Sequence, residues 1–576
     1  MGDSTAAIST KGSPPPFSWL WDRQLHRYPD TGPRYFYLGI SVLLTITLYY
    51  ELYVQGAVAP SIIADFHMSF PFFIYIVVIS NAVGAFASLV AGLADRWGRA
   101  NLVTYGLAVT GLLVLFGLPN APDKYSYGVL LSAVAFVEGI MLVATPALVR
   151  DFSPQIGRAS AMGFWTMGPV IGSLVVTEVS SHTLSHLTAW QDQFVIAGIV
   201  GMAVFAIALV GLRELSPSLR DQLMVSLRDR ALLEARAQGI DIEAGLQRPW
   251  RQMLHFDVIS PALGISVFLI VYYTLIALGV VYFVTIFGFT QQQANSLGNW
   301  VWAFDAGALV VVGIISDWLR VRKPLMVVGA LGAIAMMVIF ARHTYDTHTG
   351  YYSFVWNLSL LAVFLGVTYA PWMAAFTETV ERRNPALIAT GLAVWGWIIR
   401  AVVSISIYAL TFVVTSMTPL VENGPVALRA EQLVRSDPAL AIVVAHQEIF
   451  NRLGPYKCGP SPGPVPSDLL QQAIREVGLA NLNKVNQDPR ICQETAFLKA
   501  HQREILAAQR ASSISPSEWR RWWWVSTGGM VAFLPLVLVL AGRWSPRRAR
   551  QDQLEHEQRV QRELEALLAS RQAPAT

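Results

Sequence analysis

Four ionisable residues, Glu51, Glu138, Asp305 and Arg400, fall in the middle of long apolar stretches. An ionised carboxylate in hydrocarbon costs several kcal/mol, so each acid must hold a proton, find a partner or sit in water. A guanidinium keeps its proton in a protein, so Arg400 needs a carboxylate or an anionic ligand beside it. Asp305, in the same half of the chain, is the expected partner, with a direct grip on an anionic substrate as the alternative. If Arg400 pairs elsewhere, Asp305 joins the proton candidates. Once one acid is committed to Arg400, the other two stay neutral only by binding protons, and Glu51 and Glu138 are the expected carriers. The blander alternatives are a structural hydrogen bond at Glu51 and, at Glu138, a carboxyl donating to a backbone carbonyl. Gln55 stands one turn beyond Glu51 on the same helical face. Tyr53, Tyr273 and Trp372 are among the aromatic residues near these charges that would line a pocket for a flat or amphipathic molecule, although most membrane tryptophans sit at headgroup level.

Membrane helices are the elements that must position these groups. Of 576 residues, 54% are apolar and only 14% charged. The apolar ones collect in blocks of about 20 or more, long enough at roughly 1.5 Å per residue to cross about 30 Å of hydrocarbon. Twelve blocks stand out, near 35–58, 71–94, 101–119, 127–149, 160–180, 191–212, 258–286, 294–315, 324–341, 352–376, 387–414 and 522–542. Positive charge then sets the orientation. With the amino terminus inside, 27 of the 42 lysines and arginines fall in inner segments and only Lys124 and Arg342 in short outer loops. Arg400 within a span and 12 residues between spans 11 and 12 complete the count. Both termini are therefore expected in the cytoplasm of a multi-pass plasma-membrane protein, read as a bacterial inner-membrane one. The first span does the targeting, because the polar stretch around Pro14 to Pro16 has no apolar core behind it. The net charge of +4 is explained by orientation and gives no reason to expect nucleic acid. There is no G-x-x-x-x-G-K-[ST] loop and no Cys/His cluster, so nucleotide hydrolysis, a metal site and a cofactor are not expected, and the chain does not read as an enzyme.

Between spans 2 and 3 runs A-G-L-A-D-R-W-G-R, Ala91 to Arg99. Gly98 permits a tight turn, while Asp95, Arg96 and Arg99 mark the membrane edge. The string resembles the loop between helices 2 and 3 of the major facilitator superfamily, G-x-L-a-D-r-x-G-r, with Ala91 in place of the leading glycine. That resemblance implies a gating role for Asp95 and Arg99. The alternative is that they only cap helices and hold topology. Asp151 and Arg158, after span 4, resemble the E-x6-R pair of the sugar porters in that superfamily and are read as a second latch. In span 1, Glu51 stands nine residues before Pro60, where the drug:proton antiporters carry L-D-x-T-x-x-N-x-A-L-P with an acidic proton site. In span 4, Ala135 replaces the arginine and Glu138 the glutamine of the family's R-x-x-Q-G. Gly168, Pro169 and Gly172 resemble the end of the antiporter motif G-P-x-x-G-G, a place for bending and close packing against the opposite half.

The second half repeats the first. Asp317, in G-I-I-S-D-W-L-R-V-R-K, lies 222 residues after Asp95, and Glu378, Glu381, Arg382 and Arg383 occupy the place of Asp151 and Arg158. The expected fold is an all-α membrane protein of 12 transmembrane helices in two pseudo-symmetric six-helix bundles, with an extracytoplasmic helical insert between helices 11 and 12. The expected divisions are an N-terminal tail (1–34), the first bundle (35–212), a cytoplasmic linker (213–257), helices 7–11 (258–416), the insert (417–521), helix 12 (522–543) and a C-terminal tail (544–576). The N-terminal tail reads as disorder followed by a piece lying on the inner headgroups, and Arg220, Arg228, Arg230 and Arg236 suggest an amphipathic linker helix on anionic lipid. Cys458 and Cys492, the only cysteines, both fall in the insert and are expected to form a disulfide that stabilises it by roughly 3 kcal/mol. The insert's Pro/Gly-rich stretch from Gly454 to Pro466 reads as a loop.

Together these readings lead to a monomeric secondary transporter working by alternating access, whose partners are protons, the bilayer and a small-molecule substrate. Proton-driven efflux of an amphipathic compound is the leading expectation. An importer or exchanger of an anionic metabolite held by Arg400 is the first alternative, and a receptor or assembly subunit acting through the insert is the second.

Overall fold

The computed structural model describes residues 20–87, 98–152, 167–216, 219, 249–319, 321–346, 348–383, 388–459, 463–542, 544–548 and, beyond these, 550–551, 554–555, 558, 561–562 and 565. Asp95, Arg96, Arg158 and the four linker arginines lie outside the described residues.

Among the described residues seven helices build the first half: α1 (Thr31–Ala57), α2 (Ala59–Asp65), α3 (Phe70–Ala87), α4 (Arg99–Leu112, continuing through π and 3₁₀ turns to Asn120), α5 (Lys124–Phe152), α6 (Gly168–Thr183) and α7 (Trp190–Gly211). After the short α8 (Pro249–Met253) come α9 (Phe256–Phe268) and α10 (Ile270–Phe287), which form one long span bent at Leu269, then α11 (Gln291–Leu319), α12 (Lys323–His343), α13 (Tyr351–Arg383) and α14 (Ile388–Val413). A group of shorter helices follows: α15 (Met417–Ser436), α16 (Pro438–Ala445), α17 (Gln447–Cys458), α18 (Ser467–Val477), α19 (Leu479–Gln487) and α20 (Ile491–Ala500). The last helix, α21 (Gln502–Leu536), returns to the second half. Among the described residues, ten helices are long and apolar enough to cross a membrane. Two of the twelve expected spans fall outside that set. Only 16 residues of α6 are described, and α21 mixes its apolar end with a long polar start.

Apolar sequence on nearly every helical face suits helices surrounded by lipid and by one another. The second half has a dense aromatic core, in which Tyr282 stands 4.6 Å from Trp519 and 5.3 Å from Trp523, and Phe287 stands 4.6 Å from Phe354. The two halves meet where α6 packs on α11 and α3 on α14.

Three expectations are corrected by packing. The N-terminal segment docks on the first bundle: Arg23 is fully buried and donates to Ala208 O at 2.8 Å. Gln24–Leu25 (β1) pairs in parallel with Glu214–Leu215 (β2). Helix α21 begins at Gln502, 20 residues before the expected span, because Glu518 and Trp519 already pack against the start of α15. Glu518 accepts from Thr415 Oγ1 and Ser416 N, both at 2.8 Å. The expected Gly454–Pro466 loop loses its first turn to α17, which continues to Cys458.

The disulfide joins Cys458 and Cys492, with Cα atoms 5.4 Å apart. It links α17 to α20 across two small apolar clusters, one around Leu440 and Ile491 and the other around Ile449 and Ala473.

Candidate functional site

Tyrosines from three helices surround Arg400 midway along the bundle. Tyr49 and Tyr53 come from α1, Tyr273 from α10 and Tyr369 from α13, while Arg400 belongs to α14. Tyr49, Tyr53 and Tyr273 all lie within electrostatic reach of Arg400, and Tyr369 within reach of Tyr49 and Tyr273. The Tyr49 and Tyr53 rings stand 5.4 Å apart. All five residues are only half-buried, so the cluster is not sealed core, and the side chains of both halves that meet here outline a central chamber. Tyr53 also reaches a small cavity of about 60 Å³ between the halves, lined by Ser173, Thr177, Asn295 and Trp302 and roomy enough for a few waters.

Glu51 and Glu138 are each 2% exposed, and none of their four oxygens has a hydrogen-bond partner among the described residues. Glu51 turns into the first half, against Gly201 of α7 and beside Thr110 of α4, whose hydroxyl is committed to Leu107 O at 3.2 Å. Glu138, on α5, lies within reach of Glu51 on one side and of Tyr49 and Tyr53 on the other. It therefore stands between the buried acid and the chamber. Asp305 is buried against Gly366 of α13, in reach of Tyr272 and Tyr369.

The expected Arg400–Asp305 pair does not form. Asp305 faces α13, while the neighbours of Arg400 are phenols, and among the described residues no carboxylate pairs with it. Trp372, expected near the substrate, is fully buried between Phe376 at 5.0 Å and Tyr369 at 6.0 Å. Gln55 accepts from Tyr127 Oη at 3.3 Å, inside the first half. Gly168 and Gly172 do not press on the opposite half. They let α6 lie against Thr45 and Tyr49 of α1 in its own half.

Approach between the halves comes from other residues. Asn295 donates to Ala57 O at 3.0 Å, Asn299 to Ser181 Oγ at 2.9 Å, and Gln291 to Ser61. Gly298 gives Thr177 room at this seam. Asparagines in the first turns of an apolar helix were the available sequence signal, and their partners, over 100 residues away, left none.

Charged latches occupy the other end of the bundle. Gly98 turns with φ +88° directly against the Glu214 carboxylate, which accepts from Arg99 N at 2.8 Å. The Arg99 guanidinium bridges both oxygens of Asp151, at 2.9 and 3.2 Å. In the second half Arg322 binds Asp317 at 2.8 Å and Glu378 at 3.2 Å, and Arg383 binds Asp257 at 2.6 Å. Sequence reading missed Arg23 and Glu214. Each sits beside an opposite charge at the edge of a polar segment, Arg23 after Asp22 and Glu214 after Arg213, and only the folded contacts give them a role.

Solved structures of similar fold include a bacterial homolog of the human lysosomal transporter Spinster in an inward-facing, occupied conformation. It is 16% identical, with a TM-score of 0.51 over 90% of this chain and 100% of that one. The same homolog in its unoccupied form gives a TM-score of 0.53 at 15% identity, over the same shares of both chains. The xylose transporter XylE from E. coli, partially occluded and inward open, gives 0.51 at 13% identity over 66% of this chain and 92% of that one. At these identities the likeness is one of fold. No curated protein matches this chain in sequence. The family model described as Major Facilitator Superfamily matches residues 41–407, which takes in both latches and every residue around the chamber, and the chain belongs to that superfamily.

Proposed function

We propose that the chain is a proton-coupled secondary transporter of a small amphipathic molecule, working by alternating access in a plasma membrane with both termini in the cytoplasm. The observation that carries this reading is the pair Glu51 and Glu138, buried, without a hydrogen-bond partner among the described residues and within reach of each other beside the chamber where the two halves meet. Two such carboxyls within reach of each other in a low-dielectric interior cannot both ionise, so at least one holds a proton and a cycle that wets them must move it. By the arginine and lysine count, the seam of Asn295 and Asn299 is the outer end. The chamber is then closed to the outside and loads from the cytoplasm. Asp95, Arg96, Gly98, Arg99, Asp151, Arg158 and Asp317 form the inner gate, the outer helices α15–α20 are an extracytoplasmic insert, and α6 and α21 complete twelve spans.

Efflux on the pattern of the drug:proton antiporters and uptake or exchange of an anion differ in what Arg400 does. Its lack of a carboxylate partner among the described residues favours the anion. Metabolite profiling of a deletion strain, followed by flux of the identified compound in proteoliposomes under an imposed pH gradient, tests the proposal. Glu51→Gln and Glu138→Gln are expected to fold and to lose gradient-driven flux. Undiminished flux in both variants would remove the proton carriers.

A further inference from the structure

The chamber is rich in donors, and among the described residues no carboxylate pairs with its arginine. Arg400 is half-buried midway along α14, and the groups around it are phenols. Tyr369 extends this wall to Trp395, whose ring centre lies 6.4 Å away and whose buried indole N–H has no acceptor. A partly dehydrated guanidinium with no carboxylate in contact is costly, and planar N–H donors flanked by aromatic rings suit a carboxylate carried on a flat ring.

We propose that this chamber binds a flat-ring organic carboxylate on Arg400 and carries it together with one proton held by Glu138. The proposal rests on the transport reading above and names its cargo. Tyr49 lies within reach of both Arg400 and Glu138, so the two sites share one electrostatic neighbourhood. Of the charged groups, Glu51 on α1 faces Glu138; Tyr49 and Tyr53 on the same helix are the phenols beside it. In the empty chamber an ionised Glu138 balances Arg400. An arriving anion leaves the chamber negative unless Glu138 takes up a proton, and with that proton the loaded chamber is balanced again. Anion and proton therefore strengthen each other's binding by the same factor and travel together. A cationic cargo would compete with the proton and exchange against it. The charge on the substrate thus decides between cotransport and antiport.

The test uses the full-length chain in lipid nanodiscs, with benzoate as the probe and benzylamine as the cation on the same ring. Tryptophan fluorescence reads binding, and a pH dye in weak buffer reads proton uptake. Wild type should bind benzoate in preference to benzylamine and take up one proton for each benzoate. Its affinity should fall by about tenfold per pH unit above the point where Glu138 ionises. Arg400→Gln should lose benzoate, while Arg400→Lys, which keeps the charge, should retain weakened binding and show that the chamber is folded. Glu138→Gln should bind benzoate with no proton uptake. The proposal is overturned if wild type fails to bind benzoate at millimolar concentration, if Arg400→Gln binds it as well as wild type, if benzylamine is preferred, or if wild type binds benzoate without taking up protons. Gradient-driven flux that survives Glu51→Gln and Glu138→Gln would instead defeat the transport reading, and that separate measurement keeps the two failures apart.

Discussion

The same arginine-to-acid latch appears in both halves, under different conditions. In the first half Arg99 grips Asp151 with side chains only 16% and 9% exposed, backed by Glu214 on the Arg99 amide and by the docked segment of Arg23 and the strand after it. In the second half Arg322 divides itself between Asp317, 61% exposed, and Glu378, 38% exposed. Repeated sequence has kept the bond and changed its surroundings. An ion pair in water is worth little, while a buried one is costly to break because removing one partner strands the other charge. The first half therefore behaves as the stiffer body at this end, and the second is freer to rearrange around Arg322.

The largest effect should come from breaking the buried latch. Asp151→Asn is expected to destabilise the protein by about 3 kcal/mol, while Glu378→Gln stays within about 1 kcal/mol. Melting midpoints of the two variants in one detergent check this, and equal losses would show that the latches are equivalent. The disulfide makes a second contrast, because α15–α20 follow the second half and have no counterpart among the described residues of the first. Reducing Cys458–Cys492, a bridge spanning 34 residues, should weaken these helices by roughly 3 kcal/mol in the chain-entropy picture. Hydrogen exchange should quicken in α16–α20 and stay unchanged in α9–α14. A uniform change across both regions would mean that the insert and the bundle unfold as one.

The seam between the halves sharpens the comparison from the opposite end. Asn295 uses its amide to hold both Ala57 O across the seam and Gln291 O in its own helix. Asn295→Ala should cost about 1 kcal/mol of closure, about a fivefold shift toward the form open at this end. Spin-label distances across the seam read that shift, and unchanged distances would remove Asn295 from the gate.

The twelve apolar blocks, the paired charged loops and the joint placement of two cysteines are visible in the sequence because each follows from a local rule of length, charge or count. The deep charges were visible for the same reason, since an acid in oil is anomalous wherever it sits. Their partners were not. Whether Arg400 meets Asp305 depends on the rotation of α11 against α14, and Asp305 turned to Gly366 while Arg400 turned to tyrosines. The spacing of Glu51 to Pro60 resembles that of an acidic proton site but does not say which side of its helix the carboxyl takes, and it packs against Gly201 inside its own bundle. Gly168 and Gly172 misled in the same way. Small residues announce a close approach without naming the helix that makes it.

The smallest effect concerns pH, in the insert. Burial pushes the Glu494 carboxyl up, and its contact with Asp437 adds to the rise. Asp437 moves the other way. Burial would raise it too, but its hydrogen bonds, among them those from the amides of Ala439 and Leu440 at 2.7 and 3.3 Å, hold it below the ordinary value. A raised carboxyl binds more protons folded than unfolded, so Glu494 lends stability below its unfolded value of about 4.5 and loses it as pH rises through the folded one. Asp437 lends stability above about 3.8 and loses it as pH falls further. The insert should accordingly soften on going from mildly acidic to neutral solution. Glu494→Gln, which stays neutral and keeps a donor toward Asp437, should flatten that dependence and leave neutral-pH stability slightly higher than in wild type. Hydrogen exchange of α20 at the two pH values, corrected for intrinsic rates, reads the change directly. A wild-type insert firmer at neutral than at mildly acidic pH would reverse the sign and place the excess proton on a different carboxyl.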